Sequence, residues 1–90
     1  MEDNTVFIGK KGTMAYVMAV IMQMNKGNTE VTLKARGKAI SRAVDVAEIV
    51  KNKFTDAKIN ANNIRIYTEE VKSQDDNMLK VSAIEILLKK

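Results

Sequence analysis

"EVTLKARGKAISRAVD", residues 30–45, changes period at its centre. Up to Arg36 it alternates: Val31, Leu33 and Ala35 share one side, and Thr32, Lys34 and Arg36 share the other. That is the pattern of a strand with one buried face. Gly37 ends the alternation. Over residues 39–54, Ile40, Ala43, Val44, Ala47, Val50 and Phe54 then recur in steps of three and four, the spacing of an amphipathic helix. Asp45, Glu48 and Asn52 fall on the opposite side, and Ile49 lies off the stripe, which predicts a second apolar contact. A strand that passes through one glycine into a helix is the start of an α/β unit.

The flanks extend this reading. "TVFI", residues 5–8, reads as a short strand, followed by the turn Gly9–Gly12 and a helix over residues 13–26. No charge occurs between Gly12 and Asn25, which predicts that most of this helix is covered and assigns Met14, Met18, Met22 and Met24 to the core. "KGN", residues 26–28, stops it: Lys26 suits the negative helix end, and Gly27 can adopt a left-handed cap. Downstream, "NIRIYTEE", residues 63–70, and "MLKVSAIEILLKK", residues 78–90, read as strands, joined as a hairpin by the polar "VKSQDDN". The expected order is β-α-β-α-β-β. The expected fold is a two-layer α/β sandwich with a mixed four-stranded sheet, with residues 1–90 as a single domain.

Composition narrows the function. Some 46% of residues are hydrophobic but only 4% aromatic, so the core is aliphatic. A chain of 90 residues buries a modest share of its surface and gains from a partner. With no Cys and no His, disulfides, thiolate or imidazole metal sites and Cys–His or Ser–His nucleophile pairs are excluded. No cofactor or metal is expected. No charged-then-apolar leader is present, and the longest apolar run, "MAYVMAVIM", is nine residues, against the ~20 of a membrane span. A soluble intracellular protein is expected.

The net charge of +4 is concentrated. Lys34, Arg36, Lys38 and Arg42 occur without an acid among them, and Lys10 and Lys11 stand beside Gly9 and Gly12. Two strand–helix crossovers make their strands parallel, so both strand-to-helix turns meet at the carboxyl edge of the sheet. Each turn also opens a helix whose free N–H groups favour an anion. If the third strand is parallel too, the hairpin of residues 64–85 projects from that edge. A basic platform with an arm suits a long polyanion. "GKKGT" is not a Walker loop, and it matches the GXXG pattern of KH domains without the two flanking helices. Asp45 and Glu48 could be imagined as a magnesium-dependent nuclease pair, but nothing nucleophilic accompanies them. Tyr16 and Tyr67 are too few for a stacking platform.

"VFIGKK", "YVMAV", "VTLKARGKAISRAVDVAEIVKNKF" and "VSAIEI" together resemble the Alba family of small basic archaeal chromatin proteins, over roughly residues 5–89. The resemblance implies the fold of the C-terminal domain of bacterial initiation factor three, with strand order 1-2-4-3. It implies a non-enzymatic homodimer, cytoplasmic and chromosome-associated. Such a dimer coats and compacts double-stranded DNA with little sequence preference and also binds RNA; the alternative is a mainly RNA-binding role. Carried over by motif, the nucleic-acid contacts are Lys10, Lys11, Arg36, Lys38 and Lys80, and the acid-free basic run adds Arg42 to them. Lys10 or Lys11 would be acetylated, and Phe54 would join dimer–dimer contacts. With it, Ile40, Val44, Ala47, Ile49 and Val50 make up the expected dimer or dimer–dimer surface. The chain departs from the family pattern at Gly12, often proline, and at the hairpin tip, where Asp75, Asp76 and Asn77 replace glycine and arginine. Lysine stands for arginine at positions 38, 51, 53 and 80.

Overall fold

The computed structural model describes residues 4–53 and 63–90. Its elements are β1 (Thr5–Phe7), α1 (Thr13–Asn25), β2 (Glu30–Arg36), a single 3-10 turn (Gly37–Ala39), α2 (Ile40–Lys53), β3 (Ile64–Lys72) and β4 (Met78–Lys89). The sheet order is β1-β2-β4-β3. β1 and β2 are parallel, and β4 is antiparallel to both β2 and β3. β3 therefore runs the same way as β1 and β2, and the β3–β4 turn lies at their carboxyl edge, as the sequence predicts.

The alternation in β2 is realised residue by residue. Val31, Leu33 and Ala35 are buried in a core with Ala43, Val46 and Val50 of α2 and Val17 and Val20 of α1. Ile84, Ile86 and Leu88 of β4 complete it. Both helices cover one side of β1, β2 and β4, and β3 carries no fully buried residue. Ile64 and Ile66 stand opposite Ile86 and Ile84 and so face the helix side, yet Ile66 is 77% exposed.

Turn chemistry closes the elements. Gly27 has φ 104°, and its N–H and that of Asn28 donate to the Met24 and Gln23 carbonyls at 3.0 and 3.3 Å. Those two bonds form a Schellman cap, in the left-handed conformation that glycine enters without Cβ strain. Gly37 has φ 58° and turns the chain from β2 into the 3-10 turn.

Three expectations need correction. The buried face of α2 is Ala43, Val46, Ala47 and Val50, whereas Val44 is 42% exposed. At about 100° per residue, Val44 points well away from that face while Val46 completes it. Ala47 and Val50 are consumed by the core of the single chain and are not available to a second copy. Ile40 and Ile49 are partly buried against that core. In α1 only Met24 of the four methionines is buried; Met14, Met18 and Met22 are 54%, 52% and 57% exposed and form a stripe on the outer face. Phe54 lies outside the described residues.

Beyond the last β2–β4 pair, Arg36–Ala83, β3 and β4 continue alone for five further pairs, from Thr68–Ser82 to Lys72–Met78. The two-stranded arm they form is roughly 17 Å long at ~3.4 Å per residue. Its turn is closed by the Ser73 N–H donating to the Asn77 carbonyl at 2.8 Å, with Asp76 in the left-handed region at φ 64°.

Candidate nucleic-acid interface

The loop that carries Lys10 and Lys11 is held from two sides. The Tyr16 hydroxyl, from the first turns of α1, accepts hydrogen bonds from the Gly9 and Lys11 N–H groups at 2.9 and 3.0 Å. The Arg42 guanidinium, from the start of α2, donates to the Gly9 carbonyl. A Cβ at Gly9 would lie 3.3 Å from the Tyr16 hydroxyl, so glycine permits this close approach. With backbone groups engaged inward, the Lys10 and Lys11 side chains are left exposed to solvent. Gly12 takes φ −64° and ψ 152° as the N-cap of α1, an extended conformation that also suits proline, so glycine's freedom is not used there.

The second loop lies against the first. Arg36 ends β2, and Lys38 occupies the exposed 3-10 turn. A cleft of about 700 Å³ at the carboxyl edge is lined by Lys10, Lys34, Arg36, Lys38 and Arg42, together with Phe7, Tyr67 and Glu69. Cations up to 32 positions apart in sequence thus share one concavity. Lys11 projects from the same loop without lining it.

Lys80 is not part of this cluster. It lies on the arm, and its cross-strand partner is Glu70. The whole arm is acidic: Glu69, Glu70, Asp75 and Asp76 outnumber Lys72 and Lys80. At its base Glu69 reaches Arg36 at 3.4 Å, with both side chains at least two-fifths exposed, so the pair is worth well under ~1 kcal/mol and opens readily to a competing anion. At the tip Lys72 is 3.5 Å from Asp76.

Sequence reasoning missed the Tyr16 hydroxyl and Glu69. A lone tyrosine in an otherwise aliphatic, uncharged helix, seven residues after Gly9, is a signal that a polar group is needed there; Glu69 carries none. Asp45 and Glu48 are both exposed on α2, and Glu48 is engaged by Lys51 at 3.1 Å. Among the described residues no group of three His, Cys, Asp or Glu side chains could hold a metal ion. Among them, too, no helix is long and apolar enough to cross a membrane.

These features agree with what the chain resembles. The Alba family model matches residues 4–68. The chain is 52% identical to "DNA/RNA-binding protein Alba" of Methanocella arvoryzae, over 99% of this chain and 92% of that one. It is also 52% identical to "DNA/RNA-binding protein Alba 1" of Archaeoglobus fulgidus, over 100% and 99%. Among solved structures, Alba from Thermoplasma volcanium superposes with a TM-score of 0.87 at 48% identity, covering 97% of this chain and 100% of that one. ALBA1 from Trypanosoma brucei does so at 0.75 with 27% identity, covering 100% and 71%. With a basic carboxyl edge, a projecting hairpin and full-length similarity of this degree, the chain belongs to the Alba family.

Proposed function

We propose that the protein binds nucleic acid through its carboxyl edge, coating and compacting double-stranded DNA with little regard to sequence, and that it also binds RNA. The observation that carries this reading is the convergence of Lys10, Arg36, Lys38 and Arg42 on one cleft beside Lys11. These are cations on two strand-to-helix turns and the element ends beside them, with no array of base-reading amides among the described residues lining the cleft, so affinity comes from charge and counterion release. The arm extends from the same edge and would lie along the duplex through Lys80, with its acidic tip held off the phosphates. No chemical step is assigned to the protein. Acetylation of Lys10 or Lys11 would remove a cation from the braced loop and weaken binding.

Pairing of two copies is part of the proposal. Val44, Ile64, Ile66 and the methionine stripe of α1 are apolar surface that the single chain leaves uncovered, and a two-fold dimer would bury some of it. Ile40 and Ile49 could contribute their partly exposed flanks. A dimer doubles every phosphate contact.

The experiment is a set of anisotropy titrations with duplex DNA at several salt concentrations. Lys11→Ala is expected to lower the slope of log affinity against log salt by about 1, or about 2 where both copies touch the duplex. Lys89→Ala is the control: Lys89 pairs with Glu30 at the opposite end of the sheet. Equal loss of slope in the two variants would place the binding edge elsewhere.

A further inference from the structure

Among the described residues the helices cover one side of the sheet, and none covers the other. Register places its residues in rows. Phe7, Lys34, Glu85 and Arg65 lie side by side across β1, β2, β4 and β3. Arg36, Ala83 and Tyr67 form the next row towards the carboxyl edge. Both rings stand on outer strands, on the order of 14 Å apart across three strand spacings.

Each ring is matched with a cation. The Lys34 ammonium lies 5.9 Å from the centre of the Phe7 ring. The Arg65 guanidinium lies 4.3 Å from the centre of the Tyr67 ring, held there by hydrogen bonds to both Glu85 carboxylate oxygens at 3.1–3.2 Å. Phe7 is 61% exposed, although its neighbours Val6 and Ile8 are buried. A large apolar ring held in water on a sheet, beside a cation, contributes nothing to the core.

Resting on the reading that the protein also binds RNA, we propose that this open face binds single-stranded RNA, with unpaired bases stacking on Phe7 and on the Arg65–Tyr67 pair. A duplex keeps its base faces inside its own stack, so only an unpaired base can use a ring in this position. Base–aromatic stacking combined with nearby cations is the general means of holding single strands, and a guanidinium plane extends a stack as an aromatic ring does. Lys34 and Arg36, between the two rings, meet the sugar–phosphate chain as it crosses the sheet. The carboxylates Glu69 and Glu85 choose the sugar: they repel a bare phosphate but accept a hydrogen bond from a ribose 2′-hydroxyl, which deoxyribose lacks. The rings, Lys34 and Arg36 also line the cleft that holds Lys10, Lys38 and Arg42, so the two modes share cations, and dependence on the rings is what separates them.

The test uses the full chain with two probes, a fluorescein-labelled oligouridylate of about 12 nucleotides and a duplex DNA. Phe7→Ala and Tyr67→Ala are each expected to weaken oligouridylate binding at least about fivefold and to weaken duplex binding by a clearly smaller factor, because a duplex meets the cleft through its phosphates and not through the rings. Phe7→Tyr and Tyr67→Phe keep the rings and are expected to retain wild-type affinity for both probes. Oligodeoxyuridylate of the same length is expected to bind less tightly than oligouridylate. The proposal is overturned if the alanine variants bind oligouridylate as the wild type does, or if they lose duplex binding to the same extent. It is equally overturned if the ring-keeping variants lose as much as the alanine ones, or if oligodeoxyuridylate binds as tightly as the RNA. Failure of duplex binding in the wild type would refute the reading of the loops and leave the oligouridylate result standing.

Discussion

Two regions of this molecule point the same way and are built on opposite principles. The β1–α1 loop is basic and tied down: Tyr16 holds two of its N–H groups and Arg42 holds a carbonyl. The β3–β4 arm is acidic and is secured by its own ladder, beyond the last β2 pairing, with one exposed ion pair from Glu69 to Arg36 at its base. Charge and rigidity are distributed together. The loop offers exposed cations on a braced backbone, which lowers the cost of ordering the chain against a phosphate. The arm offers a long lever with two carboxylates at its tip, which selects against close approach to a phosphate backbone.

The contrast can be broken most severely at Tyr16. Tyr16→Phe keeps the buried ring but leaves the Gly9 and Lys11 N–H groups without their acceptor. It is expected to lower stability by about 1–2 kcal/mol, a fall in melting temperature of roughly 4–16 °C. Duplex affinity should fall with it, because Lys10 and Lys11 lose their fixed positions. Calorimetry with a parallel DNA titration checks both, and an unchanged melting temperature would show that the loop does not depend on the hydroxyl.

A smaller effect is expected at the arm tip. Replacing Asp75 and Asp76 together by Asn should tighten duplex binding severalfold at ~50 mM salt, with the gain shrinking as salt rises and the Debye length contracts. No gain at low salt would mean that the tips stay clear of the DNA.

The smallest effect lies at the base of the arm, where Glu69 meets Arg36 at the end of β2. Glu69→Gln removes the carboxylate facing Arg36 and should tighten duplex binding by about twofold, in line with an exposed pair worth under ~1 kcal/mol. A loss of affinity would instead make Glu69 a group that orients Arg36 for its ligand.

Much of the fold can be read from the sequence because β2 is half-buried and alternates strictly, so Val31, Leu33 and Ala35 declare one face. The edge that collects Lys10, Arg36, Lys38 and Arg42 follows from the handedness and shortness of the crossovers. Helix faces are harder. α2 has apolar residues at 43, 44, 46, 47, 49 and 50, nearly all round, and only the position of the sheet decides that Val46 points in and Val44 out. In α1 the absence of charge reads as burial, yet Met14, Met18 and Met22 remain in solvent, because one sheet face covers only one side of a helix. The open face is legible only once register sets Phe7 and Tyr67 on the same side. Counting aromatic residues along the chain misses it, since their effect depends on the cations that the sheet places between and beside them.

β4 belongs to both regimes within a single strand. From Ala83 to Lys89 it is flanked by β2 for its whole length, and by β3 as far as Ile86. From Met78 to Ser82 it has β3 alone, and Met78, Leu79, Lys80 and Ser82 are all exposed. The free energy needed for local opening therefore steps down along one continuous backbone. The inner half opens only when the whole domain unfolds, while the outer half frays from its turn inward on its own. The arm can part and re-form many times within the lifetime of the native core, so it can adjust its shape to a partner without any loss of the fold that carries it.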